Sequence, residues 1–237
     1  MRVVSFVPSW TETLIEAGVD VVGRTRFCIH PKDQIKTIPV VGGTKNIFLE
    51  KVLELKPDLV LFDREENNKE MAEVCEQAGL KIFATHVMDL KSCGNSLLQL
   101  ADILANQKLN EWGHFYLQIE KCDFIKLKNC LIKGNIDLAD TEKIQYVIWK
   151  KPFMVISKNT FIGSVLSLFS VNVPTFTKKY PEITEEELKK SFCLFSSEPY
   201  PFAKDFDELV SCGFRAALVD GEKLSWYGIR TLRFLKA

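Results

Sequence analysis

The chain carries no excess of either charge. Lys and Arg total 31, Asp and Glu total 31, and the formal net charge is zero. A nucleic-acid binder shows a basic excess or a basic stripe, so that class is disfavoured. The Lys-rich stretch 121–133 is interleaved with apolar residues and reads as a solvated helix face. No apolar run approaches the ~20 residues that a membrane span requires. Residues 1–7 are too short for the apolar core of a signal peptide and turn signals follow at once, so the expected compartment is the cytoplasm. Histidine is scarce, at three residues. There is no C-x-x-C pair, G-x-S-x-G elbow, H-E-x-x-H helix or P-loop, so local spacing assembles neither a catalytic constellation nor a zinc site. The seven cysteines are odd in number, and several sit in apolar contexts such as Phe192-Cys193-Leu194; they read as reduced thiols rather than a disulfide framework.

What the chain does have is alternation. Arg2–Val7 is short and β-branched, a buried strand; a helix follows, with Ser9 and Glu12 spaced as a capping box. A short strand at Val21–Val22, a turn at Val40–Gly43, a helix over Ile47–Leu55, a strand at Asp58–Phe62, a helix to Gly79 and a strand at Lys81–Thr85 complete a pattern of parallel strands with crossover helices. From Leu90 to Lys133 strand signals are missing, and the spacing predicts a long helix with a break near Asn106–Asn110. Alternation then resumes with strands at Ile144–Trp149, Phe192–Phe195 and Ala216–Val219, helices over Thr160–Phe169 and up to Gly213, and a closing helix over Trp226–Leu235. The unit Pro57–Thr85 is repeated in Ser191–Val219: Gly79 and Gly213 share one place, and the same offset sets Leu59 on Cys193 and Asp63 on Ser197. The expected fold class is α/β, two Rossmann-like lobes with parallel sheets joined by a long backbone helix. The expected boundaries are 1–90, 91–135 for the helical spine, and 136–237.

In open parallel sheets, ligands bind outside the carboxyl ends of the strands. The exit loops are therefore the candidate site. The first lobe offers Ser9, Trp10, Arg26, Cys28, His30, Thr44, Lys45 and Asn46, with Arg64, Glu65, Glu66 and Asn67 after the strand at Asp58–Phe62. The second offers Trp149, Phe153, Tyr180, Glu198, Tyr200 and Phe202, with Glu222, Trp226, Tyr227 and Arg230 near the end. Three of the four tryptophans fall in these loops. Aromatic faces with a few charges suit a large, flat, partly polar ligand. Cys28 and His30, two apart, stand as weak metal-ligand candidates, as lining of the cleft, or as a thiolate and base.

These segments also carry a family resemblance. Arg2–Leu14 with Pro8-Ser9-Trp10-Thr11-Glu12, then Val22-Gly23-Arg24-Thr25, Val41-Gly42-Gly43 and Leu55-Lys56-Pro57-Asp58-Leu59-Val60-Leu61, resemble the substrate-binding proteins of ABC importers for cobalamin and iron-siderophores, the helical-backbone metal receptor superfamily. Tyr180–Leu188 in the second half follows the family order. The resemblance implies two lobes, a rigid spine helix, no enzymatic turnover and no required cofactor, with a corrinoid or ferric chelate held between the lobes as cargo. In cobalamin-binding relatives aromatics stand at the positions of Thr44, Asp63, Phe153 and Tyr180; here Phe153 and Tyr180 keep an aromatic and Thr44 and Asp63 do not. It further implies an ABC permease as partner, with Glu186 and Glu70 as docking residues. Two alternatives stay open: a cytoplasmic metallochaperone or metal sensor using Cys28, His30, Glu65 and Glu66, and a cysteine-dependent enzyme using Cys28 with His30.

Overall fold

The computed structural model describes residues 1–237, the side chain of Glu142 excepted. The chain is α/β and divides into two compact units. The first comprises Met1–Val87, Lys91–Gln118 and Tyr227–Leu232; the second comprises Met88–Leu90, Ile119–Trp226 and Arg233–Ala237. Among the described residues no helix is long and apolar enough to cross a membrane.

The first unit is built on β1 (Arg2–Ser5), β2 (Asp20–Thr25), β3 (Val40–Gly42), β4 (Leu59–Asp63) and β5 (Ile82–Thr85), all parallel in the order β3-β2-β1-β4-β5. The chain winds outward in one direction from β1 and in the other from β4, so the topological switch lies between these two strands. Side chains alternate across a strand. Val4, Phe6, Val60 and Phe62 therefore share one face of the sheet, where they pack with Val52, Met71 and Cys75. Those last three come from α2 (Leu49–Glu54) and α3 (Lys69–Gln77); α1 (Pro8–Glu16) connects β1 to β2.

The capping box expected at Ser9 and Glu12 does not form. Pro8 opens α1 with Val7 at the cap, so Ser9 is already helical. Pro at the first helical position needs no amide partner there. Glu12 instead takes a bidentate bond from Arg230, at 2.8 and 2.7 Å. The turn expected at Val40–Gly43 is the edge strand β3, held to β2 where Arg24 N donates to Pro39 O and Arg26 N to Gly42 O.

The helical run expected from Leu90 to Lys133 is three helices and a strand. α4 (Leu90–Leu104) ends where Ala105 turns to φ +49°, and Asn106 caps α5 (Gln107–Gln118) by accepting from Leu109 N at 3.1 Å. Gly94 and Gly113 let the two helices touch: a Cβ at Gly113 would lie 2.8 Å from Leu98 and 3.0 Å from Gly94 O. Past α5 come the short α6 (Phe124–Leu127) and then β6 (Leu131–Lys133).

The second unit carries the order β6-β10-β9-β7-β8, with β7 (Ile144–Lys150), β8 (Phe153–Val155), β9 (Phe192–Ser196) and β10 (Arg215–Val219). β7, β9 and β10 are parallel; β6 and β8 are antiparallel edges. One face packs Val147, Cys193, Phe195 and Leu218 against Leu188 of α8 (Glu185–Lys189) and Phe206 and Leu209 of α9 (Phe206–Ser211). α7 (Phe161–Leu168) follows β8, α10 (Gly221–Ser225) follows β10, and α11 (Ile229–Lys236) closes the chain. The internal repeat is real but slips by one residue. β4 ends at Asp63 and β9 at Ser196, so Ser196, not Ser197, holds the place of Asp63. Both repeats turn through a left-handed glycine, Gly79 at φ +78° and Gly213 at φ +92°.

Candidate functional site

Asp63 is the hub of the first unit's carboxyl edge. It ends β4 beside the switch point and is 1% exposed. Its Oδ2 accepts from Thr85 Oγ1 at 2.6 Å and from Val87 N at 3.2 Å, and Oδ1 accepts from Glu65 N at 2.9 Å. A buried carboxylate is tolerable only when its lone pairs are filled in this way. Thr85 in turn accepts from Trp10 Nε1 at 2.9 Å. Asn67 works beside it: Oδ1 accepts from Asp63 N, and Nδ2 donates to Phe6 O and to Thr44 O. One amide thus ties the exits of β1, β3 and β4 together. Sequence reasoning valued Asn67 as a ligand contact; at 8% exposure it is a scaffold instead.

Several expected contacts are corrected by burial. Trp10 is fully enclosed, its ring meeting that of Tyr227 edge-on at 5.0 Å, and Tyr227 is itself buried. Both rings pack the lobe rather than offer a face. Ser9 lies beneath the surface on the same helix. Cys28 is also fully buried, its Sγ 3.1 Å from both Thr11 Oγ1 and Thr25 Oγ1. Burial raises its thiol pKa above the ordinary value, the reverse of what a nucleophile or metal-binding thiolate needs. The Cys28–His30 pair therefore supports neither the enzyme nor the metallochaperone reading. Among the described residues no group of three or more His, Cys, Asp and Glu is placed to hold a metal ion. Arg230 is committed to Glu12.

What remains accessible on the first unit is a polar rim: Arg26, His30, Thr44, Lys45, Asn46, Arg64, Glu65 and Glu66. Glu65 Oε1 lies 3.0 Å from His86 Nε2, and Glu66 Oε1 accepts from the Tyr227 hydroxyl at 3.0 Å. His86 was not singled out by sequence; its position directly after β5 was the available signal. At the β4 exit a cavity of about 400 Å³ is lined by residues that include Phe62, Ala72, Ala84, Arg64, Asn68 and Lys69.

On the second unit, Trp149 is 40% exposed near the end of β7, edge-on to Tyr200 at 5.6 Å. Tyr200 is held by its hydroxyl, which donates to Asp205 Oδ2 at 2.6 Å, and Lys150 Nζ binds the same oxygen at 2.9 Å. Both bonds pull the Asp205 carboxyl below its usual pKa. Phe202, expected in the site, is fully buried beneath Tyr200 in the core of this unit. Phe153, half-buried on β8, leans on Phe214 at 5.9 Å, so little of its ring is free. Glu198 accepts from Ser225 Oγ at 2.8 Å, and burial raises its carboxyl pKa. Glu222 and Trp226 stay partly exposed and Tyr180 is exposed. The docking candidates Glu70 and Glu186 are both exposed, in the first turns of α3 and α8.

The strand exits of each unit carry fixed polar groups, and the second unit's also carry an exposed tryptophan. Residues 3–118 match the periplasmic binding protein family. The match runs from β1 to the end of α5. A vitamin B12-binding protein of Vibrio vulnificus is 33% identical over 102 residues, 42% of this chain and 37% of that protein. Another, from Vibrio campbellii, is 22% identical over 194 residues, 79% of this chain and 66% of that one. The alignment with the first relative thus spans little more than a third of its length. Among solved structures, the periplasmic vitamin B12-binding protein of Vibrio cholerae superposes with a TM-score of 0.72 at 18% identity, covering 99% of this chain and 93% of its own. The periplasmic heme-binding protein of the same organism gives 0.74 at 14%, covering 100% and 96%. These last two establish the periplasmic binding protein fold across the whole chain. The chain thus resembles vitamin B12-binding proteins in sequence over part of its length, and vitamin B12- and heme-binding proteins in fold.

Proposed function

We propose that the chain is a non-catalytic binding protein for a metal chelate or corrinoid-like ligand, held at strand-exit loops and handed on by an importer-type permease. The observation that carries this reading is the first unit's switch-point edge. There, Asp63 and Asn67 lock the exits of β1, β3, β4 and β5 into one rigid rim that presents Arg26, Lys45, Arg64 and Glu66 to solvent. Trp149 and Tyr200 of the second unit supply flat apolar edges suited to a macrocycle. The relatives found are named as binding proteins rather than enzymes, and Cys28 lacks the environment of a nucleophile.

The test is a thermal-shift and absorbance titration of purified chain with cobalamin, cobinamide, haem and a ferric siderophore. At least one raises the unfolding midpoint with saturation, and Trp149→Ala weakens it. No shift across the panel withdraws the reading. Glu70 and Glu186 are proposed to dock on basic permease residues. Charge reversal at both would abolish transport-coupled release while leaving ligand affinity unchanged.

A further inference from the structure

β4 and β5 run side by side to a shared end, where Phe62 pairs with Ala84 and Asp63 with Thr85. Ala72, one turn into α3, packs in the same cluster as Phe62 and Ala84. These three residues line the cavity of about 400 Å³ at the β4 exit. Protein interiors are normally packed to crystal density. Here α3 and β5 each contribute a single methyl, so a hollow stays open where a leucine at either place would fill it. Ala72 and Ala84 are only half-buried, and β5 is the edge strand of its sheet, so the hollow is reached from solvent. Its walls are fixed in advance. Asp63 Oδ2 accepts from Thr85 Oγ1 and Val87 N, and Met71 and Cys75 anchor α3 in the core. The buried polar atoms of the wall are spent: both Asp63 oxygens accept from the protein, Asn67 Nδ2 donates to Phe6 O and Thr44 O, and Asn67 Oδ1 accepts from Asp63 N. Such walls offer contact and few hydrogen bonds, which disfavours a sugar or a phosphate and favours an apolar group. Arg64 lines the same cavity. A guanidinium prefers the electron-rich face of an aromatic ring to an aliphatic surface.

We propose that this cavity is a binding site for an uncharged aromatic ring, seated against Phe62, Ala72 and Ala84 with the Arg64 guanidinium against its face. Its volume falls within the range of small-molecule sites. The ring belongs either to an arm of the bound chelate or to a separate small molecule, and the chemistry that recognises it is the same for both. The site stands on the geometry of the first unit alone and does not depend on the chelate-binding reading.

The experiment titrates the isotope-labelled full chain with indole, and with cyclohexanol as the aliphatic control, followed by NMR. Indole should shift the Ala72 and Ala84 signals with saturation, and cyclohexanol should bind about tenfold or more weakly. Ala72→Leu and Ala84→Leu each fill the hollow. Both should weaken indole about tenfold or more while leaving the unfolding midpoint unchanged or raised. Arg64→Gln should weaken indole and leave cyclohexanol as it was. The titration is then repeated in excess cobalamin and in excess haem. Displacement of indole marks the ring as an arm of the chelate; undiminished indole binding marks it as a separate small molecule. Absence of a saturable shift at Ala72 and Ala84, equal binding of cyclohexanol, or indole binding undiminished in both filled variants overturns the proposal and leaves the chelate-binding function standing. Conversely, a chelate panel that fails while indole still binds removes that function and leaves this site.

Discussion

Asp63 puts a carboxyl group where the protein has almost no water, and its oxygens are satisfied there by a hydroxyl and two amides. Asp63→Ala would orphan those donors in a buried setting. The unfolding free energy should fall by about 3 kcal/mol, read from the denaturant midpoint. Cys28 makes the opposite case, a polar atom that burial silences. Alkylation of the native chain at neutral pH should modify the exposed Cys212 and spare Cys28 until denaturant is added. Early labelling of Cys28 would reopen the cysteine-enzyme reading. Glu198 is charged at a cost, since burial lifts its carboxyl pKa despite the Ser225 and Trp226 bonds. The folded chain therefore holds that proton more tightly than the unfolded one. The resulting stability is fully present below the ordinary glutamate range and is lost as pH rises through the raised value. Glu198→Gln should raise the midpoint at pH 8, and the advantage should shrink toward pH 4. None of these roles is visible in residue type alone. Asp63 and Ser196 hold matching places in a repeat yet differ in charge, because only Asp63 has three donors waiting.

At the scale of elements, the sequence marked the parallel strands well and the edges poorly. β4 and β9 are buried along their whole length, and β7 and β10 over most of theirs, and such apolar runs announce themselves. β3, β6 and β8 are each three residues at a sheet margin. Their strand character comes from a neighbour's free hydrogen bonds, which no local period encodes. Gly113 shows the same limit. Along the chain it looks like a weak spot in a helix; in the fold it is where α5 meets α4 at Gly94. Gly113→Val should force the helices apart and cost about 2 kcal/mol in chemical denaturation, against the small gain that added helix propensity alone would bring.

At the scale of the molecule, all seven cysteines are free thiols and six are buried, so packing rather than cross-linking holds each unit. Adding a reductant should leave the thermal midpoint unchanged; a drop would reveal a disulfide. The sequence by itself determined the α/β class, the two-unit order, the duplicated strand–helix–strand repeat and the segment that matches a known family. These follow from hydrophobic period and turn residues, which are local. Only the tertiary structure decided which exit-loop residues face solvent. It buried Trp10, Cys28 and Phe202, drew Arg230 onto Glu12, and left Arg26, Lys45 and Arg64 exposed. Exposure and pairing depend on what a distant strand or helix brings alongside, and that information is distributed over the whole chain rather than written at any one position.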